Sequence, residues 1–330
     1  MTTNANRIVV LVNVSAGRSS RTNCRTALAV LASRYTPEVV VPPNAEAMDA
    51  AVRTAVQTSP AAIVIVGGDG TLNRVVNALD GADIPIGLLP LGTGNDFARA
   101  MGVPRSAEAA ARLIVAGRTR RVDLVTVNGR TFCTAGLLGV PALASITVRR
   151  WFSPDGRTGP LLHLLGGAAY SLAGLRQLLQ PHVPAALYSI DVSPPSVAPL
   201  PHPAQCSSPA SSTPDPAPVS LRAHGMFIVN ARVLGGGLVV PVEADDADGT
   251  MEIAAITEMP RGRLLWAFAC FIRGWRVPAG ALHVIRTPHA AVTCEAPEPF
   301  AADGDLMCEA PRFDVRVLPR QLNVVCGWPL

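Results

Sequence analysis

Apolar runs and helix-patterned segments alternate regularly through the first third of the chain. Alanine-rich segments with helical spacing separate runs of β-branched residues, a pattern typical of helices that connect strands. Because such alternation gives a parallel sheet with right-handed crossovers, residues 1–122 are predicted to form a Rossmann-like α/β domain. The predicted strands are 7–13, 38–41, 61–66 and 84–89, and the predicted helices lie near 20–34, 44–58, 71–79 and 106–117.

The pattern changes after Val122, where short apolar runs are separated by turn residues. This predicts a second, antiparallel β domain over 123–330, with helices near 160–180 and 260–274. With this domain boundary, the C-terminal residues of the chain could still pack with the first domain. The predicted strands are 121–127, 131–135, 185–192, 223–230, 249–256, 282–286, 290–295, 312–317 and 322–326.

Residues 193–219 are rich in Pro, Ser and Ala. Such a composition cannot bury enough apolar surface to order itself, so a disordered loop is predicted. Because 185–192 and 223–230 have the pattern of partner strands, the loop is expected at the tip of a hairpin. An interdomain linker is the alternative.

All 28 basic residues are arginine, and the chain contains no lysine. This excludes active P-loop kinases, protein kinases and Schiff-base enzymes, each of which needs a specific lysine. A phosphate has to be held by arginine, backbone N–H groups or a metal ion. The seven cysteines form no CxxC pair, and neither a signal-like leader nor an apolar run of about 18–20 residues is seen. A cytoplasmic protein is therefore expected.

Two glycine loops follow neighbouring predicted strands. Gly67–Thr71 ends one strand, and Gly92–Asp96 ends the next. Backbone N–H groups at such strand-to-helix turns converge on anions, and a carboxylate there needs a cation between itself and a phosphate. Taken alone, the first loop fits a tight turn with a helix cap as well as it fits an anion-binding site. Two such loops at one sheet edge favour a Mg²⁺-nucleotide site.

The sequences GGDGTLN (67–73) and PLGTGNDFAR (90–99) together resemble the diacylglycerol-kinase-type catalytic domain of soluble bacterial lipid kinases. This family is related to sphingosine and ceramide kinases and more distantly to NAD kinases. The stretches 227–253 and AADGDLM (301–307) resemble its C-terminal motifs, so the resemblance extends over nearly the whole chain. It implies a C-terminal antiparallel β-sandwich like that of NAD kinase, and ATP-dependent phosphorylation of a lipid hydroxyl such as that of diacylglycerol.

The resemblance also implies residue roles. Asp303 would be the general base, although an ordinary β-turn is the alternative for its ADGD stretch. Asp69 would take part in catalysis and, with Asp96, would organise Mg²⁺, with Asp123 as a further metal candidate. Asp245 and Asp248 would hold a structural Mg²⁺, unless they belong to a plain acidic loop. The implied ATP contacts are Asn13, Gly67, Gly68, Gly70, Thr71, Gly92, Thr93, Gly94, Asn95 and Asp305.

Several positions depart from the family pattern. Arg74 replaces a Glu and is either a phosphate ligand or a solvated helix residue. Pro141 replaces an acid, Asp305 replaces a longer Glu, and the family's N-terminal basic residue can only be Arg18 or Arg21. Alternative functions are therefore a kinase for a sphingoid base, a ceramide-like lipid or another hydrophobic alcohol, and a catalytically weakened nucleotide- or lipid-binding regulator.

Segment 261–277 is the main candidate for contact with a membrane. It carries Trp266 and Trp275 within an apolar run bracketed by arginines, which favours a transient, peripheral contact with an anionic surface. A core helix is the alternative. Segment 149–154 is a second basic, aromatic candidate. No nucleic-acid-binding module is recognised, and the sequence leaves a homodimer open. The bracketing arginines are Arg261, Arg263, Arg273 and Arg276.

Overall fold

The first half of the chain forms an α/β layer with a parallel sheet. The computed structural model describes residues 4–13, 19–92, 94–152, 168–192, 218–235 and 237–327. The sheet order is β4-β3-β1-β2 with parallel neighbours throughout, as the alternation predicts. Its elements are β1 (Asn4–Val12), α1 (Ser19–Leu31), β2 (Thr36–Val40), α2 (Ala45–Thr58), β3 (Pro60–Gly67), α3 (Asp69–Leu79), β4 (Ile86–Pro90), α4 (Asp96–Ala100) and α5 (Ala107–Ala116).

Burial and local capping explain these elements. Strands β3 and β4 are apolar and buried along nearly their whole length, because helices cover a parallel sheet on both faces. Helix α2 begins where the Asn44 side chain accepts the Ala47 N–H, and α5 begins where Ser106 accepts the Ala109 N–H. The carboxyl ends of the strands therefore point to one well-defined edge, where ligands bind in such sheets.

The second half is mainly antiparallel β structure. Strands β7, β9, β8 and β14 pair in a closed ring, and β12 and β13 extend it beyond β9. Its elements are β5 (Thr119–Val127), β6 (Arg130–Phe132), β7 (Ala135–Gly139), α6 (Val140–Phe152), α7 (Ala168–Leu178), β8 (Ala186–Asp191), β9 (Val219–Val229), β10 (Val233–Leu234), β11 (Leu238–Val239), β12 (Met251–Thr257), α8 (Arg261–Arg273), β13 (Leu282–Thr287), β14 (His289–Ala302) and β15 (Asp305–Val325).

Strands β8 and β9 are antiparallel neighbours, with Ile190 opposite Val219. This confirms the predicted pairing of segments 185–192 and 223–230. Residues 193–217, which connect the two strands, lie outside the described residues, and the predicted disorder of that loop falls on them.

Strand β15 connects the two halves of the molecule. Its first part pairs with β14, its later part pairs with β5, and Val324 lies parallel to Ile86 of β4. The C-terminal strand therefore completes the sheet of the first half, while the boundary at residue 122 stays a prediction. Each half has its own large apolar core, and β15 contributes to both.

Helix α6 was not predicted by the apolar pattern. Its Pro141 lies in the first turn, where the missing N–H would have had no partner within the helix. A proline in an apolar run therefore does not exclude a helix that begins there. None of the described helices is long and apolar enough to cross a membrane.

Candidate functional site

Two glycine loops meet at the carboxyl ends of β3 and β4. The Leu91 N–H donates to the Gly67 carbonyl at 3.0 Å, which holds the loops side by side. A Cβ on Gly92 would lie 2.5 Å from the Gly68 Cα, so the backbones approach too closely for any side chain there. Glycine therefore occurs where the main chains of the two loops are in contact. The two loops are adjacent, as the sequence predicts.

Polar side chains fix the shape of both loops. Asn13 Nδ2 donates to Thr71 Oγ1 at 2.7 Å and ties the end of β1 to the first loop. Asn95 accepts the Gly92 N–H at 3.0 Å and has the left-handed φ of +52°, which Asn tolerates better than most residues. Thr93 and Arg18 lie outside the described residues, as does the side chain of Arg21.

Asp69 joins the first loop to the second. Its carboxylate accepts the N–H groups of Asp96 at 3.1 Å and Phe97 at 3.2 Å, at the start of α4. Burial and the negative charge of Asp96 raise the pKa of Asp69 to about 7, with a smaller contribution from Asp303, although the two N–H groups oppose the shift. With a pKa of about 7, this carboxyl is only partly protonated at physiological pH.

The carboxylates of Asp69 and Asp96 lie close together beside Gly94. A Cβ on Gly94 would lie 2.9 Å from Asp69 Oδ2 and 3.4 Å from Asp96 Oδ2, so both carboxylates border the same small space. Among the described residues no group of three His, Cys, Asp or Glu side chains could hold a metal alone. Mg²⁺ commonly takes one or two carboxylates together with phosphate oxygens and water, which this pair allows.

Asp303 occupies the tip of the β14–β15 hairpin. Asp303 and Gly304 have φ of +49° and +84°, the pattern of a two-residue hairpin turn. The Asp303 carboxylate accepts hydrogen bonds from Asn73 Nδ2 (2.9 Å), the Cys133 N–H (2.8 Å), the Thr134 N–H (2.9 Å) and Thr134 Oγ1 (2.5 Å). The turn therefore holds this carboxylate firmly and near Asp69, whose pKa its charge helps to raise.

Asp305 lies on the other side of the same turn. Its Oδ1 is 3.1 Å from Arg149 Nη1 on α6, and its Oδ2 is 3.2 Å from the position a Cβ on Gly70 would take. Tyr170 of α7 completes the group, with its hydroxyl 3.5 Å from the position a Cβ on Gly304 would take. Burial and the charges of Asp96, Asp69 and Asp305 raise the pKa of this hydroxyl. Residues far apart in the sequence thus border one acidic cleft between the two halves.

Three of the predicted metal ligands lie in a second cluster. Asp123 is fully buried, and its carboxylate accepts the N–H groups of Gly249 (2.6 Å) and Arg320 (2.7 Å). Asp245 pairs with Arg120 at 3.2 Å, and Asp248 pairs with Arg286. Arginines thus supply positive charge where the resemblance implies a cation, and the metal role of these three aspartates stays a prediction.

Arg74 lies on the outer side of α3, away from the glycine loops. Its Nη1 contacts both carboxylate oxygens of Asp49 on α2, at 3.0 and 2.9 Å. Of the two interpretations of this residue, the structure agrees with the partly solvated helix position, where Arg74 forms an ion pair with the preceding helix. The positive charge at this position is therefore paired with a carboxylate of α2.

An apolar cavity opens from the acidic cleft into the second half. Its volume is about 140 Å³. Asp69, Asp96 and Asp303 border one end, and the side chains of α8 border the other. Pro141, the residue that replaces an acid, lies in its wall. Further lining residues are Leu137, Val140, Leu178, Phe227, Leu264, Ala267, Phe268 and Phe271.

Three residues at the site carried no predicted role. Asn73 is the last residue of the GGDGTLN stretch, so its position in the motif could have indicated a role at the site. Thr134 and Tyr170 belong to no motif. Thr134 lies in the connection between β6 and β7, and Tyr170 lies in α7. Both reach the cleft only through the packing of these segments, which the local pattern does not reveal.

Comparisons with known proteins agree with this architecture. Residues 7–127 match the family described as "Diacylglycerol kinase catalytic domain", and residues 163–326 match the "YegS C-terminal NAD kinase beta sandwich-like domain". The chain is similar to a diacylglycerol kinase of Mycobacterium tuberculosis, with 29% identity over 270 residues, covering 80% of this chain and 76% of that protein. It is also similar to the probable lipid kinase YegS of Shigella flexneri, with 38% identity over 127 residues, covering 37% and 40%.

A solved structure shows the same fold. A putative diacylglycerol kinase from Bacillus anthracis superposes with a TM-score of 0.76 at 17% identity, covering 99% of this chain and 97% of that one. Together with the β-sandwich match, this confirms the predicted fold class of an α/β half followed by a β-sandwich half.

Proposed function

The chain belongs to the diacylglycerol kinase catalytic domain family of lipid kinases, and from that premise we propose that it transfers the γ-phosphate of ATP, with Mg²⁺, to a hydroxyl of diacylglycerol or a related lipid. The observation that carries the proposal is the continuity between the acidic cleft and the apolar cavity. A substrate with a polar reacting end and apolar chains fits such a space, because burying its chains is favourable only against apolar walls.

The glycine loops would bind the nucleotide. Gly67, Gly68, Gly70 and Thr71 of the first loop and Gly92, Gly94 and Asn95 of the second would let phosphates approach the main chain closely, whereas Thr93, a further predicted contact, lies outside the described residues. Asn13 would hold the first loop in that shape through Thr71. Mg²⁺ bound by Asp69, Asp96 and the phosphates would neutralise charge on the transferred group. Its presence would also favour the ionised form of Asp69, whose pKa is otherwise raised.

Asp303 would accept the proton of the lipid hydroxyl. Asn73 and the N–H groups of Cys133 and Thr134 fix its two oxygens in the cleft. The Thr134 hydroxyl can rotate away from Asp303 Oδ1, which leaves that oxygen able to accept a hydrogen bond from an incoming alcohol. A general base in a fixed position typically contributes 10²–10⁴-fold to a rate of this kind.

A sphingoid base is the second candidate substrate. The reacting end of the cavity is bordered by Asp69, Asp96 and Asp303, with Asp305 nearby. An ammonium group next to the reacting hydroxyl would find carboxylate partners there. Diacylglycerol remains the first proposal because the M. tuberculosis relative with broad coverage carries that name.

We expect the substitution Ala267→Phe to reduce phosphorylation of a long-chain diacylglycerol by about tenfold and that of a short-chain analogue much less. Ala267 is buried in the wall of the cavity, and a phenyl ring there would occupy the space proposed for the lipid chains. Ala269→Phe on the same helix, at a partly exposed position outside the cavity, is the matched control. Equal loss for both chain lengths would contradict the assignment of the cavity.

The proposed membrane contact lies on the outer faces of α7 and α8. Leu172, Leu179, Trp266, Ile272 and Trp275 are exposed there, and the two indole rings lie 6.3 Å apart. The inner faces of the same helices line the cavity, so this surface is continuous with the proposed path of the lipid. The four exposed arginines of segment 261–277 favour an anionic bilayer surface.

Replacement of Trp266 by alanine is expected to weaken binding to vesicles of phosphatidylcholine and phosphatidylglycerol by several-fold, because an interfacial anchor is lost. Co-sedimentation measures the effect, and wild-type binding should fall as salt is raised. The control is Val39→Ala, which removes an exposed apolar side chain from the opposite half. Unchanged vesicle binding of the Trp266 variant would contradict the proposed surface.

A further inference from the structure

The acidic cleft calls for protein cations, and among the described motif residues Arg99 contacts the Gly94 carbonyl. Four carboxylates border it, those of Asp69, Asp96, Asp303 and Asp305, and a bound polyphosphate would add further negative charge. Phosphoryl transfer depends on positive charge that stabilises the phosphate oxygens. Because the chain has no lysine, a permanently charged side chain in this role has to be an arginine.

Arg149 reaches the cleft from the opposite half of the molecule. It lies in the last turn of α6, and its Nη1 is 3.1 Å from Asp305 Oδ1. The other oxygen of Asp305 lies 3.2 Å from the position of a Cβ on Gly70, in the first glycine loop. One carboxylate therefore separates this guanidinium from the main chain proposed to bind phosphate.

The ion pair between Arg149 and Asp305 is easily exchanged. The Arg149 side chain is 55% exposed and that of Asp305 is 42% exposed. Exposed pairs of this kind contribute little to stability, so the guanidinium loses little when it leaves its carboxylate. Phosphate oxygens are a better partner, because the planar guanidinium can donate two parallel hydrogen bonds to them.

Neighbouring arginines have other partners. Arg74 pairs with Asp49 on the outer side of α3. Arg99 Nη2 lies 3.4 Å from the Gly94 carbonyl, and its guanidinium packs so closely on Gly237 that a Cβ there would overlap it. Arg150, next to Arg149 in the sequence, lines a separate surface groove with Arg176 and Glu309.

We propose that Arg149 is a phosphate-binding residue that exchanges Asp305 for the β- and γ-phosphates of ATP. The inference rests on the proposed function, since it takes ATP as the ligand. It assigns to α6, in the lipid-binding half, a direct contact with the nucleotide held by the other half. Nucleotide binding would then draw the two sides of the cleft together before transfer.

Calorimetric titration with ATP and AMP in the presence of Mg²⁺ tests this contact without any lipid. Arg149→Gln should weaken ATP binding by about 10–100-fold, the effect of losing hydrogen bonds to a charged group, and should change AMP binding little. Arg149→Lys should retain part of the ATP affinity. Arg150→Gln is the matched control, and its affinities should equal those of the wild type.

The outcomes separate this inference from the proposed function. If the wild type binds ATP and Arg149→Gln binds it equally well, the phosphate role is wrong while the proposed function stands. Equal weakening of ATP and AMP by Arg149→Gln would also overturn it, because AMP lacks the β- and γ-phosphates. A wild-type chain that binds neither nucleotide would instead overturn the proposed function itself.

Discussion

Replacement of Asp303 by Asn is expected to lower the rate of phosphate transfer to diacylglycerol by about 10²–10⁴-fold. The amide cannot accept the proton of the lipid hydroxyl, whereas the left-handed φ of +49° suits Asn as well as Asp. The backbone of the hairpin turn is therefore retained while the proposed base is lost. Steady-state kinetics with a lipid substrate measure the effect as a fall in kcat.

The same substitution should also lower the unfolding temperature. The Asp303 carboxylate accepts two bonds at each oxygen, from Asn73, Cys133 and Thr134, and an amide NH₂ would face N–H donors at one of them. ATP titration of the same sample separates a folded, inactive variant from an unfolded one. The matched control is Asp80→Asn, at an exposed position with φ of +47° on the far end of α3. If the Asp303 variant kept full kcat, the assignment of the base would be wrong.

Replacement of Asp69 by Asn is expected to abolish transfer and to make the unfolding temperature less sensitive to a rise in pH from 5 to 8. In the folded protein the pKa of Asp69 is raised from 3.8 to about 7 by burial and by Asp96. Between those values the folded chain binds more protons than the unfolded chain, so this group's contribution to stability falls as pH rises from about 4 to 7. Above pH 7 the folded state bears the full cost of the buried charge.

Asn removes the buried charge, although its NH₂ group must face one of the two backbone N–H groups, of Asp96 and Phe97, that the carboxylate accepts. That loss is the same at every pH, so relative to the wild type the variant should be a few degrees more stable at pH 8 than it is at pH 5. Thermal unfolding of the two proteins across this pH range measures the effect, with Asp80→Asn as the control for loss of an exposed charge. A difference that does not depend on pH would contradict the raised pKa. Activity retained by the variant would contradict its role at the metal.

The local pattern was sufficient for the framework of the fold. Buried β-branched runs and amphipathic segments each carry a periodic signal, so β1 to β4 and the helices between them were placed within a few residues. The two glycine loops were also visible, because a strand end followed by glycines and a carboxylate is a local feature. Their adjacency followed from the geometry of a parallel sheet.

Contacts between distant segments could not be obtained in this way. Thr134 and Asp303 are 169 positions apart, and only the return of β15 and the β14–β15 hairpin brings them together. The partner of Arg74 depends on how α2 packs on α3. The apolar cavity depends on α7 and α8 lying against the sheet, where Gly174 gives Phe268 room to approach. Each of these needs the packed structure.

Incubation of the wild-type chain with γ-³²P-labelled ATP, Mg²⁺ and separate vesicle samples of diacylglycerol, ceramide and a sphingoid base is the most direct test of the central claim. The structure and the family predict a labelled lipid phosphate with diacylglycerol, formed by the wild type and absent from the Asp303→Asn sample. Binding of ATP without label in any extracted lipid would contradict the claim that this cleft transfers phosphate to a lipid hydroxyl.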